Sequence, residues 1–322
     1  VTHRRARALA EHPPIMVSAT TALKANQYFW MLMFIMMTTF PEKLGDAYSM
    51  DFYDCPAKPA RGAPKCDSTS MKAFIFGVFS IFGIQIGFLS VLCGALSRDS
   101  VSKKAKSVTC LCVMVGLILF ILRDGSRTFD AEWPADKMPK DGVYANAVIW
   151  SVLAGLCYSG WQDSGAVKPN TSALVPSGKF GLPIIVGLVN WLFYALPLTF
   201  MADKFVKEGF GREELMAGFT PAVNFLLAAI FQNIGLMCLF NTAIVACVCS
   251  VDKEDAPYRI LRGTTMVQFF SMGAFSKDAI TGLLMNFEDP MRLFFFATNF
   301  AILFYQTNTW TATPFKLEAR KD

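Results

Sequence analysis

Residues 73–96 read AFIFGVFSIFGIQIGFLSVLCGAL, a run with no charged side chain and no proline. A helix needs about 20 apolar residues to cross the roughly 30 Å hydrocarbon core of a bilayer, so this run is read as a membrane span. Similar runs flank it on both sides. A first span covers Gln27 to Phe40, with a start nearer Leu23, and Pro41 ends it. The third runs from Val108 to Leu122, the fourth from Val143 to Gly160, and the fifth from Leu182 to Met201, where Pro197 predicts a kink. The sixth, Phe219 to Ser250, is longer than a straight crossing needs and predicts tilt or protrusion. The seventh, from about Ile260 to Ser276, is the weakest and admits a re-entrant reading. Pro290 opens the eighth, from Leu293 to about Trp310.

The expected fold class is therefore all-α, a polytopic transmembrane helical bundle of about eight spans. Residues 1–26 form a basic tail and 27–160 a first four-helix unit whose loop is 41–71. Residues 161–181 connect it to a second unit, 182–310, and 311–322 form the C-terminal tail. Composition agrees: 53% of the 322 residues are hydrophobic, thirty are Phe, and the 17% that are charged fall between the runs. The net charge of +5 comes without a long basic tract, which argues against nucleic-acid binding.

Even span number puts both termini on one side. Segments on that side carry a basic surplus and those opposite an acidic one, so the positive-inside rule assigns the termini to the cytosol, stroma or matrix. The Arg-rich opening VTHRRARALAEHPP fits a short tail on that side, or else the remnant of an organellar targeting peptide. Cys55 and Cys66 lie in the first loop of the opposite side, where an oxidising compartment would let them form a disulfide. The C-x-C pairs Cys110/Cys112 and Cys247/Cys249 fall within spans and read as small hydrophobes rather than metal ligands.

A faint duplication is present. Ile86-Gly87 matches Ile234-Gly235 and sets Gln85 opposite Asn233, VYANAVIWSVLAGLCYSGW resembles RLFFFATNFAILFYQTNTW, and Arg123-Asp124 parallels Lys277-Asp278. Four spans plus four would be a 4+4 parallel internal repeat about an axis along the membrane normal.

The chemistry available to the spans is narrow. The two histidines, His3 and His12, are in the tail, which excludes haem, di-iron and His-relay roles for the spans. Ionisable residues cluster at span ends, with Lys277 and Asp278 the only intramembrane candidates. Carboxamides remain. Gln85, Asn146, Asn190, Asn224, Gln232, Asn233 and Asn299 lie in apolar stretches, together with Asn241 and Gln268. Their ordinary role is hydrogen bonding between helices. Their sharper role is as candidate cofactor ligands, since a carboxamide oxygen suits the magnesium of chlorophyll and the phenylalanines suit its walls. Gly83 and Gly87 allow close helix approach. Trp30, Trp150, Trp161, Trp191 and Trp310 read as interfacial anchors.

These features favour a non-catalytic accessory or linker subunit in the bilayer, partnered by other integral membrane subunits. Its most specific form is a thylakoid photosystem–antenna supercomplex, with chlorophyll, carotenoid or lipid as bound cofactors. The alternative is a transporter or channel for a neutral or apolar small solute. A lipid-active enzyme would need clustered His or Asp, which the runs lack.

Overall fold

The computed structural model describes residues 16–47, 68–135, 139–202, 204, 220–281 and 290–312. Cys55, Cys66 and the loop that carries them lie outside the described residues, as do both tails. Among the described residues there is no strand. In chain order the α-helices are α1 Ala19–Thr39, α2 Pro41–Ala47, α3 Ser68–Leu96, α4 Lys103–Arg127, α5 Asp141–Asp163, α6 Gly181–Phe200, α7 Pro221–Cys249, α8 Asp255–Thr281 and α9 Pro290–Thr311. A 3₁₀ turn, Thr171–Ala173, lies between α5 and α6.

Local chemistry sets the ends. Ser18, Ser102 and Thr220 cap α1, α4 and α7, each accepting from the backbone N–H three residues on. Pro221 and Pro290 sit at first helical positions, where their missing N–H costs nothing. Pro197 lies inside α6, three residues before the helix end, and the Met201 N–H closes the last turn on its carbonyl at 2.8 Å. After α5 the chain turns out through Gly165 at φ +88°. The seventh expected span, read as short, is a continuous 27-residue helix.

Five helices are long and apolar enough to cross a membrane: Ala73–Leu96 within α3, and the whole of α4, α5, α6 and α7. That is compatible with an integral membrane protein. α1, α8 and α9 have 21, 27 and 22 residues, so length suffices there too. Of the polar and charged side chains that lower their hydropathy, some turn inward, such as the fully buried Asn26 and the nearly buried Gln268 and Gln306. Large apolar side chains face outward instead, including Leu119, Val148, Val152, Phe193, Phe269 and Phe304.

Within α1, α3, α4 and α5, the first helix packs mainly on the second, the third on the fourth, and the first also touches the fourth. The same pairs meet within α6, α7, α8 and α9. Across the two sets, α3 meets α7 and α8, and α4 meets α7. Glycines set the closest approaches. A Cβ on Gly83 would lie 2.8 Å from Met37 Cβ, and one on Gly87 2.9 Å from the Phe34 ring, so the small-residue stripe of α3 receives α1.

One end of the bundle is knit by loop hydrogen bonds. Ser102 Oγ donates to Asp252 at 2.9 Å, Val17 N to Ser159 Oγ at 2.7 Å, and Asn170 N to Ser250 Oγ at 2.9 Å. Trp161 and Trp310 belong to this end, as anchors should. Trp161 donates to the Val167 carbonyl at 3.0 Å, and the Arg262 guanidinium lies 5.7 Å from the Trp310 ring centre. The candidate site lies towards the other end.

Candidate functional site: a tryptophan-lined cavity with a polar cap

Where α1, α3, α4, α5 and α7 converge, they leave a partly open cavity of about 140 Å³. Its deep walls are apolar: Trp30 and Met33 from α1, Ile86 and Leu89 from α3, Leu117 and Phe120 from α4, Trp150 from α5, Met237 and Phe240 from α7. Trp30 and Trp150 are not interfacial anchors. They are the twelfth and tenth residues of their helices, Trp30 is 3% exposed, and the two rings face each other at 6.3 Å. Phe120 joins them, edge-on to Trp150 at 6.2 Å and to Phe240 at 6.2 Å. The Trp30 indole N–H donates to Asn26 at 3.2 Å, which allows the ring to sit buried. Trp191, the third tryptophan expected at an interface, is buried too, edge-on to Phe88 at 4.9 Å.

The cavity ends in a polar cap formed by Asp124, Arg127, Asn146 and Asn233, with Trp133 and Pro139 of the α4–α5 connection beside it. Charged residues do cluster at a helix end here, and they face the bundle. α4 does not stop at Leu122; it continues to Arg127 and turns Arg123 and Asp124 into the bundle, with side chains 19% and 20% exposed. Arg123 pairs with Asp124 at 3.4 Å and donates to Asn233 and, at 2.5 Å, to Gln232. Arg127 donates to Gln232 and to the Ala229 carbonyl at 3.3 Å. Gln232 in turn donates to the Thr199 carbonyl at 3.0 Å, next to the end of α6. The cluster thus lies near the depth where α4 and α6 end, one to two turns inside the start of α5. Two guanidiniums against one carboxylate are tolerable there because carboxamide oxygens absorb the remaining N–H groups.

The other expected site residues are dispersed. Gln85 Oε1 accepts from Cys238 at 3.2 Å, and its backbone carbonyl takes the Asn241 amide at 3.1 Å. Asn190 donates to Asn299 at 2.9 Å, and Asn299 donates to the Tyr194 hydroxyl at 2.7 Å, bridging α6 and α9. Asn224 lies in the first turn of α7, away from both groups. Of the seven carboxamides, Asn146 and Asn233 line the cavity and Gln232 supports its cap. The side-chain oxygens of Gln85, Gln232, Asn233 and Asn299 are each taken by a donor of the protein itself. Among the described residues no three Cys, Asp, Glu or His converge as metal ligands, and the seven described cysteines are unbonded. Sequence reading missed Arg123, Asp124, Arg127 and the inward tryptophans. The available signal was the mid-run position of Trp30 and Trp150.

No protein-family model matches the chain, and no curated protein or solved structure does so either.

Proposed function

We propose that this chain is a non-catalytic integral membrane subunit that packs laterally against other membrane subunits and holds one apolar molecule between its helices. The cavity carries this reading: five helices leave an unfilled volume at their junction, walled mostly by rings and aliphatic side chains, with Asp124 and Arg127 at its cap. Its size is close to the roughly 150 Å³ apolar cavity that accepts a benzene. It suits a ring or a chain segment of a lipid or carotenoid-like molecule and is too small for a chlorophyll macrocycle, which would have to bind on the outer faces. Those faces are themselves suited to neighbours. On α5, Val148 and Val152 are 66% and 60% exposed, an apolar surface that must meet lipid or another subunit.

The finer form of the proposal has eight spans, both termini on the stromal, cytosolic or matrix side, a Cys55–Cys66 disulfide opposite, and an organellar home, most specifically a thylakoid photosystem–antenna assembly. Packing supports the 4+4 repeat within it. α3 and α7 both have 29 residues, and Ser68 and Pro221, like Leu96 and Cys249, lie 153 positions apart. At that register Gln85 answers Cys238, and these two side chains touch, as equivalent residues beside a two-fold axis do. The register that sets Gln85 opposite Asn233 lacks this contact, since Asn233 is at Arg123.

The test is extraction from its membrane in a mild detergent, followed by sizing and an absorption spectrum. A particle well above the 35.6 kDa chain plus its micelle is expected. A monomer would remove the subunit reading, and a spectrum without pigment bands would remove chlorophyll and carotenoid. A second reading, a transporter for a small neutral solute, draws on the cavity between two similar helix sets. It predicts uptake into proteoliposomes, which a holding subunit does not show.

A further inference from the structure

A second, smaller space lies among α6, α7, α8 and α9. It measures about 20 Å³, and every residue that lines it is buried. Three of them are polar: Thr264 and Gln268 of α8 and Gln306 of α9, at 7%, 6% and 3% exposed. Thr264 and Gln268 are four residues apart, so both fall on one face of α8. The remainder of the lining is aliphatic apart from Gly187 and Trp191.

Gln306 is only half satisfied. Its Nε2 donates to the Pro183 carbonyl at 3.0 Å. Turning the carboxamide over would set two oxygens at that distance, so Oε1 is the atom left over. It is a buried acceptor with no hydrogen-bond partner among the described residues, a costly state in apolar surroundings. Thr264 has already committed its proton, donating from Oγ1 to the Ile260 carbonyl at 2.8 Å, which leaves its lone pairs to accept. Two acceptors beside a carboxamide ask for a small ligand that can donate twice and also accept. The lining holds no acid or base, so a cation would find no counter-charge there. A water molecule meets each condition, needing about 10–15 Å³ of such space and roughly two to four polar partners.

We propose that this space is a binding site for a single water molecule. The water donates to Gln306 Oε1 and Thr264 Oγ1 and accepts from the Gln268 amide. It ties α8 to α9 and, through Gln306, to Pro183 of α6. The site lies apart from the tryptophan-lined cavity and does not depend on what that cavity holds.

Radiolytic labelling of the purified protein in detergent tests this. A millisecond X-ray pulse converts a bound water into a hydroxyl radical that oxidises the side chain beside it, and mass spectrometry reads the gained oxygen. Val245 and Leu261 line the space and are each 1% exposed; Leu92 and Leu227 are 0% exposed and lie elsewhere. Val245 and Leu261 should be labelled several-fold faster than Leu92 and Leu227. Thr264→Val and Gln306→Met nearly keep the side-chain shapes while removing one acceptor each, and either should bring that excess down to the control rate. Labelling of Val245 and Leu261 no faster than the controls would overturn the water site. An excess that persists in both variants would overturn the assigned partners. An excess or a thermal midpoint that changes when choline replaces sodium in the buffer would identify a cation and overturn the proposal as well.

Discussion

Between α1, α3, α4 and α5, together with α7, the helices leave about 140 Å³ unfilled and cap it with an arginine–carboxamide cluster. Between α6, α7, α8 and α9 the described residues line a space of about 20 Å³. The two sets pack in the same order, so topology does not explain the difference. Side chains do. In the first set, the Trp30, Trp150, Phe120 and Phe240 rings pack on one another along the wall and leave the gap unfilled. In the second, Gln306 reaches over Gly187 to the Pro183 carbonyl at 3.0 Å, and Asn190, Asn299 and Tyr194 tie α6 to α9. One set is built around a space and the other is closed by polar cross-links. A few side chains thus divide one helix arrangement into a half that leaves a space and a half tied by polar cross-links.

The strongest way to break the cross-linked half is at Gly235. A Cβ there would lie 2.6 Å from the Thr199 backbone nitrogen and 2.9 Å from the Ala195 carbonyl oxygen, and backbone cannot step aside. Gly235→Leu should cost about 3 kcal/mol, seen as a large fall in the thermal midpoint in detergent. An unchanged midpoint would mean that α6 and α7 do not approach as described.

Next is the cap of the half that leaves a space. Arg123→Met leaves Asp124, Gln232 and Asn233 without their shared donor and should cost about 2 kcal/mol by the same measurement. Arg123→Lys should recover only part of this, because an ammonium cannot fork between two carboxamides. Filling then separates the halves directly. Leu188→Phe, beside the 20 Å³ space, should cost about 1–2 kcal/mol through overpacking. Leu117→Phe, on the wall of the larger cavity, should be near neutral in stability. Equal costs would erase the contrast. The smallest effect belongs to Asn190→Leu, which removes one interhelical hydrogen bond and should cost about 0.6 kcal/mol.

Apolar runs made the helices legible in the sequence: each expected span overlaps a helix, and five of these are long and apolar enough to cross a membrane. α1 and α4 extend further than their runs because Ser18 and Ser102 cap them before the apolar stretch begins. The site was legible only in fragments. Asn146, Gln232 and Asn233 stood out as polar residues in oily surroundings, but a linear reading could not bring together α4, α5 and α7. Arg123 and Asp124 were discounted because they follow the last apolar residue of a run, and only the continued helix shows that they point inward. Trp30 and Trp150 were misplaced by a rule suited to span ends. A cavity is a property of what neighbours fail to fill, and no single segment encodes it.

In the proposed function, α1, α3, α4 and α5, with α7, hold an apolar molecule inside a membrane bundle. Native mass spectrometry of protein released gently from detergent tests this most directly. The expected mass is that of the chain plus one small apolar molecule, with the added mass absent from the stably folded Leu117→Phe protein. Bare chain mass for the unaltered protein, or an added mass that survives the filled cavity, would contradict it.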